Sequence, residues 1–187
     1  MKILSQNTWK SRGVKVTHQV IDLGDCDLQI ASPKFDTKIG IDPGTTNVGI
    51  AVISDGIDCF ELTFPSERLA IPRVVRIRLA LSDLVYSYQP LWDKLSQSKS
   101  MLVSVEASAY SMRFRNTELA EGRITQAMWF VDNFNLSPEQ CIFLTPQAIR
   151  KSVFGNGKTK AEVVWPEIKP DAASALAVAI AGLKLTI

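Results

Sequence analysis

The sequence contains one histidine, His18, and three cysteines, Cys26, Cys59 and Cys141. No two cysteines form a CxxC pair, and His18 has no second histidine at ligand spacing. This excludes the common Cys/His zinc patterns and argues against a disulfide framework. Reduced, mostly buried thiols are expected instead. Long apolar runs are also missing, since none reaches the roughly 18 residues needed to span a bilayer. The opening MKILSQNTWKSRGVKV lacks an apolar core followed by a small-residue cleavage site, so it does not read as a signal peptide. An intracellular protein that does not engage membranes is the expectation. Strong charge of one sign is absent as well. The net charge of +2 and pI of about 8.4 are too mild to indicate nucleic-acid binding, because a basic footprint typically lifts a domain above about 9. There is no internal repeat and no low-complexity tract.

The 187 residues, 46% hydrophobic and 21% charged, suit one domain with a proper core. The charge is unevenly spread. Lys2, Lys10, Arg12 and Lys15 lie in an acid-free opening stretch, and Arg150, Lys151, Lys158, Lys160 and Lys169 outnumber Glu162 and Glu167 in residues 145–169. A solvated face accounts for such clusters as readily as a DNA contact does.

Residues 1–37 differ in character from the rest of the chain. VKVTHQVIDL alternates loosely, as a strand would; DLGDCD reads as a turn, and SPKFDTK as a linker. An extension is expected here: an extra hairpin, an arm that reaches DNA, or a partner-docking segment. From residue 38 to 187 the pattern predicts a main domain. Strands are expected at 38–42, 47–54 and 57–64, the last pair joined through SDG, a hairpin signal. Pro72 opens a helix, since proline is tolerated in a first turn. Val74, Val75, Ile77, Leu79, Leu81, Leu84 and Val85 supply its buried side, and Pro90 ends it. Further strands are expected at 101–107 and 141–145, with helices at 116–134, 146–154 and 171–185. This order predicts an α/β layer architecture with a mixed sheet.

Three acids occupy telling places. Asp42 closes the first strand of IGIDPGTTNVGIAV, Glu106 sits near the end of LVSVEA, and Asp171 begins the last helix. Gathered at one sheet edge, three carboxylates repel one another unless divalent cations sit between them. Hard oxygen ligands suit Mg²⁺ or Mn²⁺. Two such ions about 4 Å apart promote phosphodiester hydrolysis by activating a water and stabilising the leaving oxygen. Each acid also has a simpler reading. Asp42 before Pro-Gly caps a turn, and Asp171 after Pro170 faces a helix dipole. Glu106 is harder to dismiss, because an ionised acid in an apolar strand needs a partner.

At these residues the chain resembles the RuvC-type Holliday junction resolvases of the ribonuclease H-like nuclease superfamily. IGIDPGTTNVGIAVI is similar to the family's first motif and LVSVEAS to its second. TPQAIRKSVFGNGKTKAEVV is similar to the following GNG-basic segment, and KPDAASALAVAIA to a last motif usually of the form D-A-A-D-A-L-A-x-A. The similarity runs from about Lys38 to Leu183. It implies a mixed five-stranded sheet flanked by helices, a homodimer, Mg²⁺ dependence with Mn²⁺ as a substitute, binding to branched DNA, and paired nicks at four-way junctions. It also implies Asp42, Glu106 and Asp171 as catalytic metal ligands, with Ser174 at the position of a fourth. Lys158 and Lys160 would contact phosphates on a glycine-rich loop, as would Arg113 and Arg115 beside the glutamate strand.

The sequence departs from the pattern in several places. Ser174 stands where the last motif has its second acid, and a neutral hydroxyl is a poorer Mg²⁺ ligand. This leaves open an alternative: a junction-binding or assembly subunit that cuts poorly or not at all. An RNA·DNA-hybrid nuclease of the same superfamily is a third reading. AEVVWPEIKP is shorter than the family's connection. Ala109 takes the place of an aromatic after Glu106, so Tyr110 or Phe114 is the candidate stacking wedge, with a core aromatic as the simpler reading. Residues 1–37 have no counterpart in the motifs.

Overall fold

The computed structural model describes residues 1–24, 34–44, 46–65, 73–107 and 117–186. The described residues form seven strands and six α-helices: β1 (Lys2–Ser11), β2 (Val14–Asp22), β3 (Thr37–Pro43), β4 (Asn47–Ile53), β5 (Ile57–Thr63), α1 (Arg73–Ser87), α2 (Gln89–Ser96), β6 (Met101–Glu106), α3 (Thr117–Phe134), β7 (Cys141–Leu144), α4 (Pro146–Phe154), α5 (Ala161–Val164) and α6 (Pro170–Thr186). The strands form one mixed sheet in the order β1-β2-β5-β4-β3-β6-β7. β6 runs parallel to both β3 and β7, and the other neighbours pair antiparallel.

The sheet has seven strands, not the five that the resemblance implies. The two additional strands are β1 and β2, which pair in a hairpin and join the edge of β5. Val14 and Val16 from β2 enter the core on one face of the sheet, and Ile21 enters the core on the other. The hairpin is tied down by buried chemistry. His18 Nε2 and Asp58 Oδ1 are 2.7 Å apart, and Lys94 Nζ donates to Asp58 Oδ2 at 2.7 Å. The His18 ring stacks on Phe60 at 4.5 Å between centroids. A buried pair satisfied in this way is costly to break, because the group left behind stays buried with one partner fewer.

Alternation along the strands divides the core in two. Ile39, Ile41, Val48, Ile50, Val52, Phe60, Val103 and Val105 face α1, α2 and α3, where Leu81, Leu84, Leu95, Trp129 and Phe130 cover them. The opposite face packs on α6, whose residues from Ala172 to Ala181 supply the cover, with Ser174 only partly buried. On α1, Ile77, Ala80, Leu81, Leu84 and Val85 point inward, but Val75 and Leu79 are exposed, at 43% and 36%. The 3.6-residue period carries those two positions to the outer side. Pro90 does more than end that helix, because it sits in the first turn of α2.

The alanine-rich composition of α6 serves both helix propensity and proximity. A Cβ on Gly40 of β3 would stand 2.0 Å from the Ala175 carbonyl oxygen and 2.5 Å from the Ala179 nitrogen. Helix and sheet touch backbone to backbone here, which fixes how the start of α6 lies over the strands. Among the described residues no helix is long and apolar enough to cross a membrane.

Candidate active site

The ladders set a row of side chains across the sheet. Thr17 pairs with Glu61, Glu61 with Gly49, and Gly49 with Asp42. Ile41 pairs with Val105, so Glu106 lies one step further on, beside Asp42. Directly paired residues point to the same side of a sheet, here the side covered by α6. The first turn of α6 crosses the row at its gap, since a Cβ on Gly49 would lie 1.9 Å from the Asp171 carbonyl oxygen. Only a glycine lets Asp171 descend between Asp42 and Glu61.

Asp42 is the electrostatic centre of the row. Burial, then the charges of Glu106 and Asp171, push its carboxyl up to about 7; a hydrogen bond donated by the Ser174 hydroxyl and the positive charge of Arg123 pull the other way. Burial also raises Glu106, opposed by Arg123 and Arg150. Glu61 is raised by burial and by the charge of Asp171. The Asp171 backbone N–H and the positive charge of Lys169 pull it back down.

Asp42, Glu106, Asp171 and Ser174 therefore meet in one neighbourhood. They do so as a row: among the described residues, no three Asp, Glu, His or Cys side chains close into a ligand group. The reason is visible in the layout: Asp171 lies over Gly49, between Asp42 and Glu61, and its charge acts on both. The donor set nonetheless fits a hard divalent cation. It consists of oxygens whose mutual repulsion Arg123 and Arg150 oppose, and the buried Asn47 Oδ1 has no hydrogen-bond partner. Asn47 precedes Gly49 by two residues on β4 and so points to the same side as Asp42.

A cleft of about 300 Å³ opens beside Glu106 and Ser174, lined also by Arg150, Phe154 and Lys160. Lys160 lies 3.4 Å from Glu162. Lys158 is exposed on the loop after α4, which Asn156 Oδ1 braces by accepting from the Lys158 and Thr159 backbone N–H groups at 3.0 and 2.9 Å. Tyr110, Arg113, Arg115 and Phe114 lie outside the described residues, as does Cys26.

Four residues near the acids were not singled out as site residues by the sequence: Glu61 and Arg123, which lie outside the motifs, and Asn47 and Arg150, which lie within them. Glu61 could have been found by the same reasoning that flags Glu106, since it is an acid within the apolar strand CFELT. Nothing local marks Arg123, which acts on Asp42 and Glu106 from α3, a helix on the opposite face of the sheet.

A pH dependence follows from these shifts. Asp42 has a folded pKa of about 7 against an ordinary value of 3.8, so between those limits the folded chain holds a proton that the unfolded chain has released. Stability is greatest below about pH 4 for this group and falls as pH rises to about 7, by on the order of 2–4 kcal/mol. Glu106 and Glu61, also raised, act in the same direction. Asp58, held low by His18 and Lys94 despite its burial, acts only at lower pH. Thermal melting without divalent cation should show a Tm that declines from pH 5 to pH 8, and the decline should shrink in Asp42→Asn.

No protein-family profile matches the chain, and neither does any curated protein. Solved structures do. A Thermus thermophilus RuvC structure aligns over 78% of this chain and 92% of its own, at 17% identity and a TM-score of 0.53. T. thermophilus RuvC in complex with a Holliday junction substrate aligns over 79% and 92%, at 19% identity and a TM-score of 0.53. The chain has a RuvC-like fold.

Proposed function

We propose that this chain is a divalent-cation-dependent endonuclease that resolves four-way DNA junctions. The observation carrying the proposal is the placement of Asp42 and Glu106 side by side at the carboxyl ends of neighbouring parallel strands, with Asp171 brought over Gly49 to the same row. The shared fold supports it, because one of the similar structures holds a Holliday junction. Asp42, Glu106 and Asp171 would hold Mg²⁺ or Mn²⁺, which when bound supplies an acidified water and neutralises a leaving oxygen. The Ser174 hydroxyl orients the Asp42 carboxylate by donating to it. Arg150 and Lys160, in the cleft beside Glu106, bind the scissile strand's phosphates, and Lys158 holds the backbone further along. Tyr110, Arg113 and Arg115 are assigned to the DNA contact by their place after Glu106. A homodimer would set two such clefts about a two-fold axis, matching the two equivalent strands of a junction.

A second reading is favoured by one observation. Ser174 gives Asp42 a neutral hydroxyl where an acid would give the cation another charge, which suits a junction-binding subunit with weak or no cleavage. One experiment separates the readings. Labelled four-way junction, linear duplex and RNA·DNA hybrid are incubated with the chain, with and without Mg²⁺. Cation-dependent nicking of the junction alone is expected. Tight junction binding without nicking supports the second reading, and cutting of the hybrid instead would overturn both.

A further inference from the structure

The N-terminal hairpin reaches the segment that carries Asp171. Gln19 of β2 is 1% exposed, and both ends of its amide are engaged. Its Oε1 accepts the Lys169 backbone N–H at 2.8 Å, and its Nε2 donates to the Glu167 carbonyl at 3.1 Å. The same Nε2 donates to Gln6 Oε1 of β1 at 2.8 Å. Residues 167 and 169 are the approach to α6. Gln19 pairs with Cys59, two residues before Glu61, so both side chains face α6.

A helix begins with backbone N–H groups that have no partner inside it. Pro170 opens α6 and has no N–H to satisfy, so Asp171 presents the first orphan donor. Just before it, the Lys169 N–H is satisfied by Gln19. The entry to α6 is therefore tied in trans by a buried side chain of β2.

We propose that the hairpin is a brace for the catalytic row: Gln19 is a positioning residue that fixes the backbone of residues 167–169 and thereby sets where Asp171 lies over the row. The proposal rests on reading Asp171 as a cation ligand. It gives residues 1–22 a role inside the nuclease centre, independent of any contact between their basic residues and DNA.

The test uses the full chain and Mn²⁺ alone, with bound ion read from loss of the free-ion electron paramagnetic resonance signal. Gln19→Leu keeps side-chain bulk and removes the hydrogen bonds. It should weaken Mn²⁺ binding by about tenfold or more, the scale on which groups that orient metal ligands act. Gln19→Glu, which retains the acceptor for the Lys169 N–H, should recover part of that loss. Wild-type Mn²⁺ affinity in a folded Gln19→Leu variant overturns the brace. Asp171→Asn runs alongside: if it too binds Mn²⁺ normally, the ligand reading of Asp171 fails first and the brace fails with it. Hydrogen exchange on the unaltered chain covers the case in which a leucine variant does not fold. The Lys169 amide should be protected, and exchange at the rate of an open loop overturns the proposal.

Discussion

Asp42→Asn should abolish nicking of a four-way junction, with a loss of about a hundredfold or more, the scale seen when one preorganised electrostatic group is removed. Binding of the same junction should stay within about threefold, because the phosphate contacts that dominate affinity come from basic side chains elsewhere. The same variant should be more stable than the parent at pH 8 without cation. Asp42 lies between Glu106 and Asp171, and its ionised form is opposed by burial and by both neighbouring charges. Asparagine keeps the shape and removes that cost. For a chain of this size, where about 1 kcal/mol moves Tm by 2–4 °C, a rise of about 5 °C is expected. Adding Mg²⁺ should raise the Tm of the parent and leave that of the variant nearly unchanged. Nicking by Asp42→Asn at the parental rate would remove Asp42 from the chemistry. A variant both inactive and less stable would show that the acid's role is structural.

Gly40→Ala should be strongly destabilising for the addition of a single carbon. Its Cβ would stand 2.0 Å from one backbone atom of α6, 2.5 Å from another and 2.9 Å from the Ala179 Cβ. None of these atoms belongs to a flexible side chain, so the helix itself must move off the sheet. Overpacking of this kind costs about 3 kcal/mol or more, a Tm loss of roughly 6–12 °C. Asp171 and Ser174 ride on the same helix, so Mn²⁺ affinity should fall along with stability. Gly56→Ala is the matched control. Its Cβ would meet only the Lys94 Nζ, at 3.7 Å, and it should change neither quantity. Equal melting of the two variants would refute the close contact between α6 and β3.

Much of the sheet was legible locally. The strand, Pro-Gly turn and strand around Asp42, the apolar strand ending in Glu106, and the small-residue helix after Asp171 all carry their own period or punctuation. The exposure of Val75 and Leu79 was not readable, because apolar identity alone does not say which residues of a crowded helix the sheet will cover. The extension was ambiguous for a related reason. Lys2–Ser11 is polar enough for a loop, and it became a strand only by pairing with β2 at an exposed edge.

The sequence by itself determined which acids stand at the ends of which elements, because strand and helix termini are written in nearest-neighbour chemistry. Only the tertiary structure decided that Gln19 grips the approach to Asp171, that the charge of Arg123 on α3 acts on Asp42, and that Gly49 lets the last helix descend between two carboxylates. Those relations depend on strand register and on the distance between a helix and a sheet. Both are set by packing among residues far apart in the chain, and no local pattern encodes them.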